Sequence, residues 1–584
     1  MNYPVWYLPG VGGGLLMAII AITHVFVSHF AVGGGLYLVL TERKARREND
    51  AQLLEFIKKH AKFFMLASMV YGGVTGVGIW FTIGLIQPDA TSDLIHTFVF
   101  GWAAEWVWFL VEIVALLIYY YCFDRMDEQR HLLVGWIYFL AAWMSLFLIN
   151  GIIGFMLTPG DWLENRNFWS AFFNPSFWPS LLFRCAMATL LAGVFAFFST
   201  ALISAAGFRQ KMTRYTSRWC LLSLLVAGLA GFWYLQVLPG SAQQVLAISP
   251  TIQRSVIIGA FAVLSLAALV TLFTLWRPAW HNLTVALLVA LSSLLVMGAF
   301  EWIREADRRP FVIYQWRYSN GIAVSDAERL DSGFLAQCRY SREREVREDN
   351  LMAAGAELFR FQCYACHTLG GINNDLRTRT ASASFPGMVN YLTTMHEKRP
   401  FMPPFIGNEL ERQALAAFLV GELHGKPVQR TSQGETHPGE TLFAANSCDM
   451  CHEAELVFNW AQGKSLAEVD QGLATLSQID SSMKDFAGTE AERQALAEYL
   501  LDPHRTAVAA AAFSGLQVLE EHCVLCHDAQ LTLDWAATRD AEAIRHGLLH
   551  LSQISSSMED FAGSEAELDA LVLFLAGQAH GGVQ

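Results

Sequence analysis

The sequence predicts an all-α protein, a bundle of eight transmembrane helices followed by three small helical domains. Two observations predict it: long apolar runs confined to the first half, and a cysteine–histidine string that recurs three times in the second. Of the 584 residues, 53% are hydrophobic and only 16% are charged, a balance rare in a soluble chain of this size. The expected division is a membrane bundle over 1–318, a linker over 319–348, and small domains over 349–428, 433–504 and 508–580.

Eight runs are long enough to span a bilayer. They lie at about 14–41, 62–87, 99–122, 132–157, 178–205, 217–238, 255–276 and 282–303. The N-terminus MNYPVWYLPG has no basic n-region, so the first span is expected to act as the targeting signal. Basic residues set the orientation. Arg43, Lys44, Arg46, Arg47, Lys58, Lys59 and Lys62 follow the first span, Arg125 and Arg130 the third, and Arg209, Lys211, Arg214 and Arg218 the fifth. The alternate loops hold almost none. The N-terminus and the C-terminal half are therefore expected outside a bacterial inner membrane.

Six of the ten cysteines fall in three CxxCH strings: Cys363–Cys366–His367, Cys448–Cys451–His452 and Cys523–Cys526–His527. CxxCH is the attachment signal for a c-type haem; the thiols take the vinyl groups and the adjacent histidine is placed to bind iron. Haem attachment requires export, which agrees with the orientation read from charge alone. The local grammar is that of class I cytochromes c. Each string follows an amphipathic helix (GAELF, GETLF, GLQVL). Each is followed by a methionine expected on the sixth position of iron, which raises the potential. These are Met402, Met483 and Met558, with Met388 and Met395 as competitors for the first. The second and third domains are an internal duplication: LSQIDSSMKDFAGTEAERQALAEYL recurs as LSQISSSMEDFAGSEAELDALVLFL. Cys122, Cys185, Cys220 and Cys338 are scattered, and the three in or beside apolar spans read as packing.

Ionisable residues inside membrane spans are costly and default to function. Span one carries His24 and His29, span three Glu105 and Glu112, span five Arg184, and span eight ends in Glu301, Arg304, Glu305 and Arg308. The topology puts all of them in the outer half, the side of the c haems. Glu105 and Glu112 share a helix face, as do Glu301 and Glu305, whereas His24 and His29 point in different directions. Either histidine suits iron; a carboxylate suits a weak axial position or a proton path.

At these residues the membrane half resembles subunit I of cytochrome bd oxidases. HVFVSHFAVG from His24 resembles that family's first helix, whose histidine binds a high-spin haem. GVTG at 73–76, Glu112 followed by Asp124-Arg125, Asn150-Gly151 with Pro159, and Glu305-Ala-Asp-Arg308-Arg-Pro310 are similar to its further motifs, in order. The resemblance covers about residues 14–314. It implies one or two haems of b or d type held by His24, Glu305, His29 or Glu301, with Arg308 beside them, a proton path through Glu112 and Glu105, and a second membrane subunit. The chain departs from the family where a low-spin haem histidine is expected and Arg184 stands instead, and where a long quinol loop is expected and only 239–254 remain. Arg184 is expected to pair with Glu112 or a haem propionate.

The function expected is a cytochrome c-fed oxidase, electrons passing from three c haems to a membrane haem that reduces dioxygen to water. An electron conduit to a partner subunit or quinone, and nitric oxide reduction, stay open. The net charge of −13 lies largely in the C-terminal region, which gives solubility and would also steer a basic cytochrome c donor. Nothing supports nucleic-acid binding.

Overall fold

The computed structural model describes residues 3–428 without a break and, beyond them, 454–480, 483–501, 541–554 and scattered positions between 439 and 575. Cys451, His452, Cys523, Cys526, His527 and Met558 lie outside the described residues. The chain divides into two compact units, residues 1–432 and 433–584. Among the described residues the strands are a single short hairpin, Phe311–Ile313 against Arg317–Tyr318; everything else regular is helical.

Eight helices are long and apolar enough to cross a membrane: Gly13–Arg47, Ala51–Ile86, Val99–Tyr121, Glu128–Phe155, Phe177–Ala201, Ala206–Gln236, Thr251–Trp276 and Leu283–Asp307. They are called spans one to eight below. The protein is a multi-pass membrane protein. Spans one, two, four and six run well beyond their apolar cores into polar sequence, because Arg, Lys, Glu and Gln are good helix formers. Side-chain caps close the starts of spans two, four and eight: Asp50 accepts from Leu53 N–H, Asp127 from Arg130 N–H and Asn282 from Val285 N–H. All three lie on the side rich in lysine and arginine, where polar residues can reach backbone donors.

Spans one and five form the centre. Gly33 lets them touch: a Cβ there would stand 1.9 Å from the Ala188 carbonyl oxygen. Around this crossing Phe30, Phe64, Phe177, Leu190, Leu191 and Phe197 are wholly buried. The 239–254 segment, expected as a loop, contains the helix Gly240–Ile248 between Pro239 and Pro250; a proline before a helix and another at the first turn of the next fit both chain directions.

In the first small domain the helix Leu351–Leu358 crosses Glu409–Ala417 where a Cβ on Gly355 would meet the Ala414 carbonyl at 2.1 Å. The second domain repeats the crossing, with Gly439 against the Ala495 carbonyl at 2.3 Å. The duplication is also visible bond for bond. Asp485 accepts from Ser477 N–H and Phe486 N–H donates to the Leu473 carbonyl; Asp560 accepts from Ser552 N–H and Phe561 N–H donates to Leu548, at the same 2.8 and 3.0 Å.

Candidate functional site

Span one presents two histidines, each with one ring nitrogen already committed. Thr75 donates its hydroxyl to the Tyr71 carbonyl at 2.7 Å, so its oxygen can only accept from His24 Nδ1, 3.0 Å away. His24 Nδ1 therefore carries the proton, and Nε2 keeps its lone pair. Two local features of span two make this possible. A π-helical turn, Leu66–Gly72, precedes Thr75, and such turns recur at functional sites. Gly76 clears space for the ring: a Cβ there would lie 3.3 Å from His24 Cε1. His29, almost fully buried, donates Nδ1–H to the Val25 carbonyl at 2.9 Å and likewise keeps Nε2 free. An imidazole oriented through its second nitrogen is the usual form of a metal-ligating histidine.

Arg184 and Glu301 meet across spans five and eight at 3.6 Å, and Arg304 holds the same carboxylate at 2.9 Å. Arg308 pairs with the exposed Glu305 and donates to the Val312 carbonyl at 2.8 Å. The pairing of Arg184 with Glu112 expected from sequence does not occur: span five packs on span eight, while Glu112 on span three faces span four. There the Tyr138 hydroxyl lies 3.3 Å from Glu112 Oε1 and 3.0 Å from the Ala31 carbonyl. Glu105 is half-buried two turns away on the same helix, within electrostatic reach of Glu112.

The guanidinium cluster is incompletely paired. Arg184 Nε, Arg304 Nη1 and Arg308 Nε are buried without a hydrogen-bond acceptor among the described residues, and Glu301 Oε1 lacks a donor. Three buried charged donors left over on one side of a bundle need acceptors. Haem propionates supply carboxylate oxygens, so the donor set fits a haem whose iron is taken by a histidine of span one.

In the first small domain, His367 donates Nδ1–H to the Asn374 carbonyl at 2.9 Å and offers Nε2. Burial lowers its pKa below the usual histidine value, with Arg379 and Arg309 adding to the effect against the Asn374 bond, so the neutral, ligating form is favoured. The Gln362 side chain, next to Cys363, donates to the Ile406 carbonyl at 2.5 Å and accepts from Ile406 N–H at 3.0 Å. This double bond pins the Met402 loop against the cysteine turn. His396 fixes the loop from its other end through the Met402 carbonyl, 2.6 Å away. Met388, a competitor, is 1% exposed and packed in the domain core. Cys448 is half-buried and Met483 is described in the second domain.

Three partners escaped the sequence reading: Thr75, Tyr138 and Gln362. The sequence signal for Thr75 was its place in GVTG; the other two carry none. On the opposite side of the bundle a buried cluster was also missed. Glu42, fully buried, takes the Tyr119 hydroxyl at 2.6 Å, His131 Nδ1 at 2.7 Å and Arg46 Nε at 2.7 Å. His60 and His281 each spend one nitrogen on a hydroxyl of span five, Ser199 at 2.7 Å and Thr200 at 3.0 Å.

Membrane helices with inward histidines and leftover guanidinium donors, joined to CxxCH domains, define a haem protein of electron transfer, either a terminal oxidase or an electron carrier. Residues 14–251 match the family described as cytochrome bd terminal oxidase subunit I, and residues 350–419 match the cbb3-type cytochrome c oxidase subunit III family. The chain thus has a membrane segment similar to bd oxidase subunit I, followed by a segment similar to cbb3-type cytochrome c domains. Among solved structures it is similar to the bd oxidase from Geobacillus thermodenitrificans, at 17% identity and a TM-score of 0.45, over 52% of this chain and 89% of that one. No curated protein matches it.

Proposed function

We propose that this protein is a bd-like terminal oxidase fed by cytochrome c, with three c haems and one or two b- or d-type haems in the membrane. The observation that carries the reading is His24, whose Nδ1 is spent on Thr75 and whose Nε2 is free on the side of the c domain. His29 is the candidate for a second haem, with Glu305 and Glu301 as weaker carboxylate positions. Arg184, Arg304 and Arg308 would hold propionates through the N–H groups that lack acceptors among the described residues. Bound there, a haem with an open position supplies the redox chemistry that reduces dioxygen. Glu112 and Glu105 hold and pass protons, with Tyr138 orienting Glu112. His367, His452 and His527 would ligate the c-haem irons, with Met402, Met483 and Met558 as the candidate second ligands, the haems being attached at Cys363, Cys366, Cys448, Cys451, Cys523 and Cys526. The c domains lie outside a bacterial inner membrane, as the basic loops favour. A second membrane subunit and a cytochrome c donor complete the assembly.

A reduced-plus-carbon-monoxide minus reduced spectrum of the purified protein tests this. The His–Met c haems stay silent, and a b- or d-type signal is expected. Membrane haem without a carbon monoxide signal would overturn the oxidase in favour of an electron conduit.

A further inference from the structure

The first c domain rests on a built seat. Residues 3–12 run as a strap between it and the bundle. Trp6 N–H donates to the Leu85 carbonyl at the end of span two, 2.9 Å away. Two residues on, Leu8 N–H donates to the Tyr364 hydroxyl at 2.6 Å, and the Tyr7 ring lies 4.7 Å from the Tyr364 ring. Tyr364 stands between the two haem cysteines. Ile372 N–H closes the strap on the Gly10 carbonyl at 3.2 Å. On the other flank Gln87 donates to the Ser319 carbonyl at 2.6 Å, and Cys366 Sγ lies 3.8 Å from Ser319 Oγ.

The pieces come close at two glycines. A Cβ on Gly12, whose φ is 73°, would stand 3.0 Å from Thr368 Cγ2; one on Gly14 would stand 3.8 Å from the Ala365 carbonyl. The CxxCH turn thus sits on the first turn of span one. His24 is ten residues further along that helix, about 15 Å at 1.5 Å per residue.

Charge separates this domain from the other two. Residues 349–428 hold seven acidic and seven basic side chains, whereas 433–584 hold 24 acidic and six basic. A neutral domain suits permanent packing; the acidic unit suits transient attraction of a basic carrier.

We propose that the haem at Cys363, Cys366 and His367 is the one that delivers electrons to the membrane haem, and that the strap–Tyr364 seat fixes it for that step. The inference rests on the membrane haem of the reading above. One electron leaves the ferrous c haem, which becomes ferric, and reduces a ferric membrane haem to ferrous; no proton or other reactant is needed. The acidic repeats take electrons from a basic soluble carrier.

Flash photoreduction by a ruthenium–bipyridine complex tests it in the full-length protein, following the c-type and membrane haem bands separately. Cys448→Ala/Cys451→Ala and Cys523→Ala/Cys526→Ala are each expected to keep fast reduction of the membrane haem. Cys363→Ala/Cys366→Ala is expected to abolish it. Gly12→Val, which leaves every haem motif intact, is expected to slow it by about tenfold, equivalent to about 1.4 kcal/mol in the barrier, with haem content unchanged; it carries the test if the cysteine variant does not fold. Full-rate reduction without the first c haem, or in Gly12→Val with full haem content, overturns the proposal. Fast delivery through this haem to a membrane haem that ignores carbon monoxide would keep the proposal and sink the oxidase.

Discussion

Two buried ionic clusters sit in the same bundle, one on each side, and they differ in how completely they are paired. On the side away from the c domain, Glu42 is surrounded by Tyr119, His131 and Arg46, all at hydrogen-bond distance. On the c-domain side, Glu301 faces Arg184 and Arg304, yet three guanidinium nitrogens remain without acceptors among the described residues. Burying charge costs several kcal/mol per ion unless partners compensate. The Glu42 cluster compensates itself and reads as a structural clasp of spans one, three and four. The Arg184 cluster does not, and its unpaired donors come from spans five and eight. On the Glu42 side His60 Nε2, His281 Nδ1 and Arg209 Nε are also unpaired among the described residues, but only one of the three belongs to a guanidinium. It is the unsatisfied Arg184 set, more than burial alone, that the proposed haem site would use.

His24→Ala should break the contrast most visibly. It is expected to remove a membrane haem outright, lowering the ratio of non-c to c haem in a pyridine haemochrome assay, while the c haems stay. Unchanged haem stoichiometry would hand the iron to His29. Arg184→Leu comes next. It leaves Glu301 with one partner and removes a propionate donor, so a loss of about 3–5 kcal/mol is expected, read as a lower Tm in detergent together with partial haem loss. A variant with full haem content and activity would dismiss Arg184 from the site.

Glu42→Gln sharpens the comparison from the other side. It strands donors of a closed cluster, costing about 2 kcal/mol, and is expected to lower Tm with haem content unchanged. Haem loss there would contradict a purely structural clasp. The smallest effect expected is that of Thr75→Val. The valine keeps the volume but removes the acceptor that fixes the His24 tautomer, and outer-shell losses of this kind weaken binding by about tenfold or more. Haem retention during a chase with apomyoglobin reads this directly.

The eight spans were legible because about 20 consecutive apolar residues leave little alternative to a membrane helix. The first c domain was legible because CxxCH carries its chemistry in five adjacent residues. His24 and His29 were legible as ionisable residues in an apolar run, though not which nitrogen each would offer. That depended on Thr75, 51 residues from His24 in the chain, and on a π-helical turn that apolar composition alone does not announce. Of the two partners expected for Arg184, Glu112 was ruled out by packing, because sequence gives depth in the bilayer but not which helices are neighbours. Arg184, Glu112 and Glu301 all belong to the same half of the bundle, and only packing of span five on span eight selects Glu301.

What the sequence determined by itself was local: the eight apolar helices, the CxxCH strings and the duplicated repeat, each set by residues close together in the chain. What only the tertiary structure decided was pairwise and long-range. It joined Gln362 to Ile406, closed the strap on Tyr364 and left the arginines short of acceptors. Such contacts arise from which surfaces bury each other, and packing energy is spread over residues that no short motif contains.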